Sequence, residues 1–388
     1  MRKVSPSQAR ASSLLAHGLS SPLDSSVSAA ERLVGLHNTT QTTPYFSLRA
    51  RLPGFARAEF DKAMWHNWEL ARFRGMRLTM FVFPTHLLEI AAAATRHLTD
   101  IWAERWLRNS SLSKATFARI ADEVEAALTG NPMTVRDLRA ALDVEKTVDL
   151  PGIVGRMCDE GRLVGGAPPR SWRSSVRRYH RWSEVLPDVD PYRWDEEAAR
   201  EELIRRYVDA YGPVTLDDVS WWTGMTKTRC REALGGLELE GVDVDGWPGP
   251  LWQFGEIPAE APDTIKALPV LDPYVQGYRD RERLIDPPHV EYVWDRGGNA
   301  TSTILHGGRI VGVWQTVATS EAQLLYHFFA NPPPSVRKTA LRELEAAGRM
   351  YFDKPADMVE VADINPLHRG TTALHPLADR SHRQRQNG

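Results

Sequence analysis

Apolar residues recur at helical spacing through the first two thirds of this chain and alternate in short runs through the last third. Residues 1–25, rich in Ser and Ala around Leu14 and Leu15, predict a short helix or a loose arm. A helix is expected from about Ser28, with Ala29, Ala30, Leu33, Val34 and Leu36 as its buried stripe. Pro53-Gly54 announces a helix over 56–65, where Phe60, Met64 and Trp68 fall at helical spacing. Segments 69–72 and 78–83 then read as two strands around Gly75. Thr85 opens a helix through His97, and two more helices reach Leu128. That order, two helices and then a hairpin, is a winged-helix pattern.

The pattern repeats twice. Helices with Val135, Leu138 and Leu142, then with Leu150, Ile153, Val154 and Met157, precede a hairpin that opens at 163–166 and returns near 179–182. A helix over 196–211, a short one with Leu216, Val219 and Trp222, and a third with Arg229, Leu234 and Leu237 precede strand-like 242–244 and 251–254. Trp221 and Trp222 are expected in the core of this third unit. From Ala267, segments 268–271, 290–294, 303–305, 310–314 and 323–328 read as strands between Gly-rich turns, followed by a helix over 335–347. The expected class is α+β, mainly α. Winged helices span 1–130, 131–194 and 195–262. A small antiparallel β-barrel with its helix spans 263–365, and a flexible tail with Arg369, Arg380, Arg383 and Arg385 spans 366–388.

One interruption stands apart. From His37 to Thr43, before Pro44, every side chain carries a hydrogen-bonding group and none carries a carboxylate, ammonium or guanidinium. Such a run serves as a turn and helix cap or as a polar cluster facing a ligand, with His37 able to exchange a proton near neutral pH. A chain of 388 residues, 42% hydrophobic and 25% charged, is an ordinary globular protein of several domains. No run approaches the length of about 18 apolar residues that spans a bilayer. No apolar segment follows Arg2 and Lys3 as a secretion signal would require. Two cysteines, Cys158 and Cys230, supply neither a disulfide framework nor a metal cluster, so the cytoplasm is the expected compartment.

The net charge of −2 hides an asymmetry: residues 1–182 hold 26 Lys and Arg against 17 Asp and Glu, and the remainder holds 22 against 33. A front of +9 and a back of −11 suit a protein that turns one face to a polyanion. The second hairpin concentrates the charge. Arg170, Trp172, Arg173, Arg177, Arg178, Tyr179, His180 and Arg181 follow one another without an acid. Arginines with interleaved aromatics suit phosphate contact and stacking on bases or sugars.

Distributed pieces then match in order: Leu33-Val34-Gly35-Leu36, Pro44-Tyr45, Leu48, Arg51-Leu52-Pro53-Gly54-Phe55 and Arg74-Gly75. Further on come Leu271-Asp272-Pro273-Tyr274, Gly277-Tyr278-Arg279-Asp280-Arg281 and Gly308-Arg309-Ile310-Val311-Gly312-Val313-Trp314. On these pieces the chain resembles the bacterial DNA glycosylases of the AlkZ and YcaQ type, in the helix-turn-helix 42 superfamily. The resemblance implies a C-shaped enzyme with a basic channel for duplex DNA. Such enzymes cleave the N-glycosidic bond of bulky alkylated purines without metal or organic cofactor, and some protect producers of a DNA-alkylating product. The family places glutamine, an apolar residue, then glutamine or aspartate just after the Gly-Leu step. Here that place holds His37, Asn38 and Thr39. The resemblance therefore nominates His37 and Thr39 as catalytic, with Asn38 and Gln41 completing the shell of a water, and predicts a rate loss at acid pH as His37 gains charge.

Tyr45, Arg74, Arg170, Trp172, Arg173, Arg177, Arg178, Arg181, Asp272, Tyr274 and Arg279 are expected at the DNA. For Asp272, Tyr274 and Arg279 a structural clamp between barrel and winged helix is the competing reading. The expected partner is double-stranded DNA carrying an alkylated purine, bound by a monomer. A non-catalytic DNA-binding protein, regulator or lesion shield, is the alternative.

Overall fold

The structure, a computed structural model, describes residues 1–110, 112–258, 263–318, 321–367 and 376–377. It is a mixed α+β, helix-rich fold. The expected tail lies outside the described residues apart from 366–367 and 376–377.

The first hairpin forms as the alternation predicts. Leu70–Arg74 pairs antiparallel with Met80–Pro84, and a third strand, Leu36–His37, joins the other edge of Met80–Pro84. The helices before it are Ser26–Arg32, capped by Ser25, and Arg57–Trp65. Between them lies a helix the sequence reading missed, Thr43–Arg49, whose residues from Thr43 to Leu48 are all buried. Pro44 in its first turn starts it without a side-chain cap. The helix from Thr85 also runs further than expected, to Asn109, because no Gly or Pro interrupts it.

The second helix–helix–hairpin has a core of its own: Ile120, Val124 and Leu128 of helix Lys114–Leu128 meet Leu138, Leu150, Ile153, Val154, Met157 and Leu163. Its strands are Leu163–Gly165 and Tyr179–Arg181. In the third, helices Glu196–Tyr211, Leu216–Thr223 and Lys227–Gly235 precede strands Glu240–Val244 and Leu251–Gln253. The N-terminal arm is no loose segment. Arg2–Val4 adds a parallel strand to Glu240–Val244, and helix Pro6–Ala16 follows behind a capping box at Ser5.

The C-terminal strands differ from the expected barrel. Asp357–Glu360, Ala322–Phe328, Arg309–Ala318, Thr303–His306 and Ile265–Leu268 lie side by side in that order, so the sheet is open. Helix Pro334–Phe352 covers one face through Ala340, Leu344 and Ala347, which spares the sheet the need to close. Residues Val290–Val293, expected in a strand, form a helical turn.

The largest core is shared across the expected units. It joins Leu14, Phe73, Phe81, Phe83, Leu87 and Leu88 to Tyr207, Tyr211 and Trp222, and on to Tyr274, Tyr278 and Val313. Two buried ion pairs pin these pieces together. Arg51 grips Asp272 with Nη2–Oδ1 at 2.8 Å and Nη1–Oδ2 at 2.9 Å, both side chains fully buried. Arg283 Nη2 meets Asp218 Oδ2 at 3.0 Å, and Asp218 Oδ1 accepts from the Arg279 backbone N–H at 2.7 Å. The matching pieces at Arg51, Asp272 and 277–281 therefore meet as the staples of the fold.

Candidate nucleic-acid site

The chain enters the polar stretch through a strained turn. Val34 has φ +54°, a position unfavourable to a β-branched residue. Gly35 follows at φ +96°, where an added Cβ would lie 2.6 Å from Phe83 Cε1. This turn lays Leu36–His37 against the hairpin, with Leu36 opposite Val82 and His37 opposite Phe81.

His37 is buried, 7% exposed, and its ring lies against Phe81 with centroids 4.2 Å apart. Its Nδ1 is buried without a hydrogen-bond partner. Burial, with a smaller contribution from the positive charge of Arg77, pushes its pKa down to about 3. This corrects the expectation of a group titrating near neutrality. The imidazole is neutral throughout the physiological range, because the apolar wall disfavours its charged form.

Asn38 is also buried. Its backbone N–H donates to Met80 O at 2.7 Å, Arg72 Nε donates to its Oδ1, and its Nδ2 makes a long contact of 3.5 Å to Gln41 O. Gln41 is 7% exposed, and its Oε1 is buried without a partner. Thr39 is the exposed member. Two unpartnered polar atoms and one exposed hydroxyl thus fall within five consecutive residues. Orphaned buried polar atoms are costly, and a ligand or water that completes them removes the cost.

The basic hairpin is less open than its sequence suggests. Arg170, Arg173 and Arg178 are exposed. Arg173 also donates to Tyr351 O at 2.8 Å. Arg177 is buried, 3% exposed, and turns Nη1 back to Ser174 O and Val176 O at 2.7 and 3.1 Å. Burial, then the nearby charge of Arg72, lowers its pKa to about 9. Arg181 is half-buried and bonded to Thr129 Oγ1 at 3.1 Å. Arg177 and Arg181 are therefore not presented as a free cationic row. Trp172 packs on Tyr45 with ring centroids 4.8 Å apart, and the Arg57 guanidinium lies over the Trp172 ring, 5.0 Å from its centroid.

Other expected DNA contacts are corrected in the same way. Tyr45 is 1% exposed and donates to Asp61 Oδ1 at 2.6 Å. Arg74 spends its guanidinium on Asp159 at 2.9 Å and on the face of Trp102. Asp272 is consumed by Arg51, Ser47 and the Tyr274 N–H. Tyr274 is fully buried with its hydroxyl on Gly308 O at 3.0 Å. These are clamps, as the competing reading held for Asp272 and Tyr274, although the arginine partner is Arg51. Arg279 stays exposed. Sequence reasoning missed Arg72, whose guanidinium fixes the Asn38 amide. Its place beside Gly75 on the predicted hairpin was the available signal.

A cavity of about 740 Å³ lies between Thr215, Arg231, Pro250 and Asp280, and none of the residues from His37 to Gln41 lines it. No group of three or more His, Cys, Asp or Glu suited to a metal occurs among the described residues, and no helix there is long and apolar enough to cross a membrane.

The family model described as "DNA glycosylase AlkZ-like" matches residues 30–351. This chain belongs to that family. A curated relative from Streptomyces sahachiroi, named an interstrand DNA cross-link repair glycosylase, is 27% identical over 278 residues, 64% of this chain and 72% of the relative. The solved structure of the Streptomyces sahachiroi DNA glycosylase AlkZ superposes with a TM-score of 0.74 at 21% identity, covering 92% of this chain and all of that one. The likeness in fold thus extends over nearly the whole chain.

Proposed function

We propose that this AlkZ-like chain is a monofunctional DNA glycosylase. It hydrolyses the N-glycosidic bond of a bulky N7-alkylguanine or N3-alkyladenine in duplex DNA, including cross-linked DNA of the kind named for its Streptomyces relative. Its units are read as tandem winged helices that hold the duplex, its setting as the cytoplasm, and its role as self-resistance to an alkylating natural product. The observation that carries the reading is the orphaned pair His37 Nδ1 and Gln41 Oε1, flanking exposed Thr39 at the family's catalytic place.

An alkylated purine already carries positive charge and leaves readily. The protein has mainly to place a water at the sugar and tolerate an oxocarbenium-like transition state. Gln41 Oε1 accepts one water proton, and Thr39 Oγ1 holds the oxygen from the solvent side. Neutral His37 spares the developing cation a neighbouring positive charge. It contributes polarity and position: the water oxygen bonds C1′ as the C1′–N bond to the purine breaks with its electron pair leaving on the base, and the proton of the captured water passes to bulk solvent on the exposed Thr39 side. Without a carboxylate here, catalysis leans on the leaving group.

The burial of His37 favours a second reading, a lesion-binding protein without turnover. One assay separates the two: release of free modified base from an alkylated oligonucleotide. Under the first reading the wild type releases base, and Thr39→Ala slows release by about 100-fold. Salt-sensitive duplex binding with no abasic product from any adduct tested would leave the second.

A further inference from the structure

A second arginine group sits at the tip of the hairpin that carries the motif strand. Arg77 and Leu78 are consecutive non-glycine residues with φ +55° and +59°. Such conformations are strained and persist only where the surroundings hold them, and such strain gathers at functional sites. The strained tip places the Arg77 guanidinium 3.7 Å above the ring of Trp221 and within 3.1 Å of Gly297 O. Arg279 reaches the same ring at 5.5 Å. Arg281 lies 5.0 Å over Trp294. Gly298 makes the convergence possible: a Cβ there would stand 2.3 Å from Trp221 Cη2 and 2.9 Å from Arg281 Nη2.

Trp221 was expected in the core beside Trp222. Trp222 is buried, but Trp221 is half-exposed beneath these arginines, and its Nε1 has no hydrogen-bond partner. A carboxylate that acts on both Arg77 and Arg281 is Asp295. Its oxygens already accept from the Asn299 backbone and side chain at 2.8 and 3.0 Å. Arg279 and Arg281 form no ion pair among the described residues, and Arg296 is exposed on the same turn as Asp295. Three guanidinium groups gathered beside Trp221 and Trp294, with the nearby carboxylate already engaged, make a cationic patch suited to a polyanion. Burial lowers the pKa of both Arg77 and Arg281, in keeping with cations short of partners.

We infer that Arg77, Arg279 and Arg281, arrayed around Trp221, form a phosphate clamp for the DNA backbone, separate from the arginine hairpin. DNA is favoured over an acidic peptide because the clamp grows from the hairpin that pairs with Leu36–His37, and His37 feels the charge of Arg77. The duplex is then held from two sides, by Arg77, Arg279 and Arg281 and by Arg170 and Arg178. This rests on the glycosylase reading and adds the backbone contacts of its site.

The test measures binding of unmodified duplex against salt concentration for the wild type and for Arg279→Gln/Arg281→Gln, with thermal melts of both. Arg279 is exposed and Arg281 half-buried, so the melts should coincide. The expected result is an affinity about 10-fold lower and a log–log salt slope shallower by about 2, one step per lost phosphate contact. An unchanged slope with coincident melts overturns the clamp. So does a variant that loses binding to poly-glutamate while keeping the duplex. If the wild type binds no duplex and releases no base, the glycosylase reading itself fails. If the wild type does both and the variant binds equally, only the clamp fails.

Discussion

Replacing Asp272 with Ala is expected to lower the free energy of unfolding by about 3–5 kcal/mol, one of the largest effects open to a single substitution in this protein. The reason is what remains behind. Arg51 and Asp272 are both fully buried, and the pair is bidentate. Asp272 also accepts from Ser47 Oγ at 2.8 Å and from the Tyr274 N–H at 3.0 Å. Removing the carboxylate leaves a guanidinium in the core without its counter-charge and strips two further donors of their acceptor. The forming of such a pair is near break-even, so it is the breaking that is costly. Urea midpoints of the wild type, Asp272→Ala and the double variant Arg51→Met/Asp272→Leu check this. The double variant should recover most of the loss, because it removes both charges together. A loss under about 1 kcal/mol for Asp272→Ala would mean the pair does not staple the fold, and that Asp272 is free for another task.

That pair also shows where the sequence was legible and where it was not. The hairpin of 163–165 with 179–181, and the helices before the second and third hairpins, followed from periodicity and turn residues, because those signals are local. The ordered family pieces around Arg51 and Asp272 were visible too, but their meeting was not. The two residues are 221 positions apart, and nothing local says which arginine answers which aspartate. The parallel strand Arg2–Val4 on Glu240–Val244 was hidden for the same reason. At the site, composition spoke for a row of free arginines between 170 and 181. Side-chain packing turned Arg177 and Trp172 inward instead, a choice made by distant aromatics such as Tyr45. The polar stretch at His37 was visible as an interruption of the apolar pattern. Its burial against Phe81 depended on a third strand only two residues long, too short for any alternation to announce.

Acid is expected to destabilise this protein through His37 while leaving its catalytic protonation untouched. In the folded state the imidazole is held neutral down to a pKa of about 3. In the unfolded chain it takes up a proton near pH 6.5. Between those limits the unfolded state binds one more proton than the native state. Stability is therefore fully present above about pH 6.5 and is lost progressively as pH falls toward 3. For His37 alone the loss from pH 7 to pH 5 is about 2 kcal/mol, at roughly 1.4 kcal/mol per unit below 6.5. His17 acts in the same direction: it is fully buried between Tyr211 and Tyr274, its pKa is lowered well below normal, and both ring nitrogens lack partners. The rate behaves differently. Since His37 does not change charge between pH 5 and 8, base release by the folded enzyme should show no inflection there that His37→Gln abolishes, contrary to what a solvent-exposed imidazole would give. Urea midpoints at pH 7 and pH 5 for the wild type and His37→Gln test the stability half, and the variant should be less acid-sensitive by about 2 kcal/mol. Equal acid sensitivity in both proteins, together with a rate inflection near pH 6.5 in the wild type alone, would place the imidazole in water and return it to the role of a titrating base.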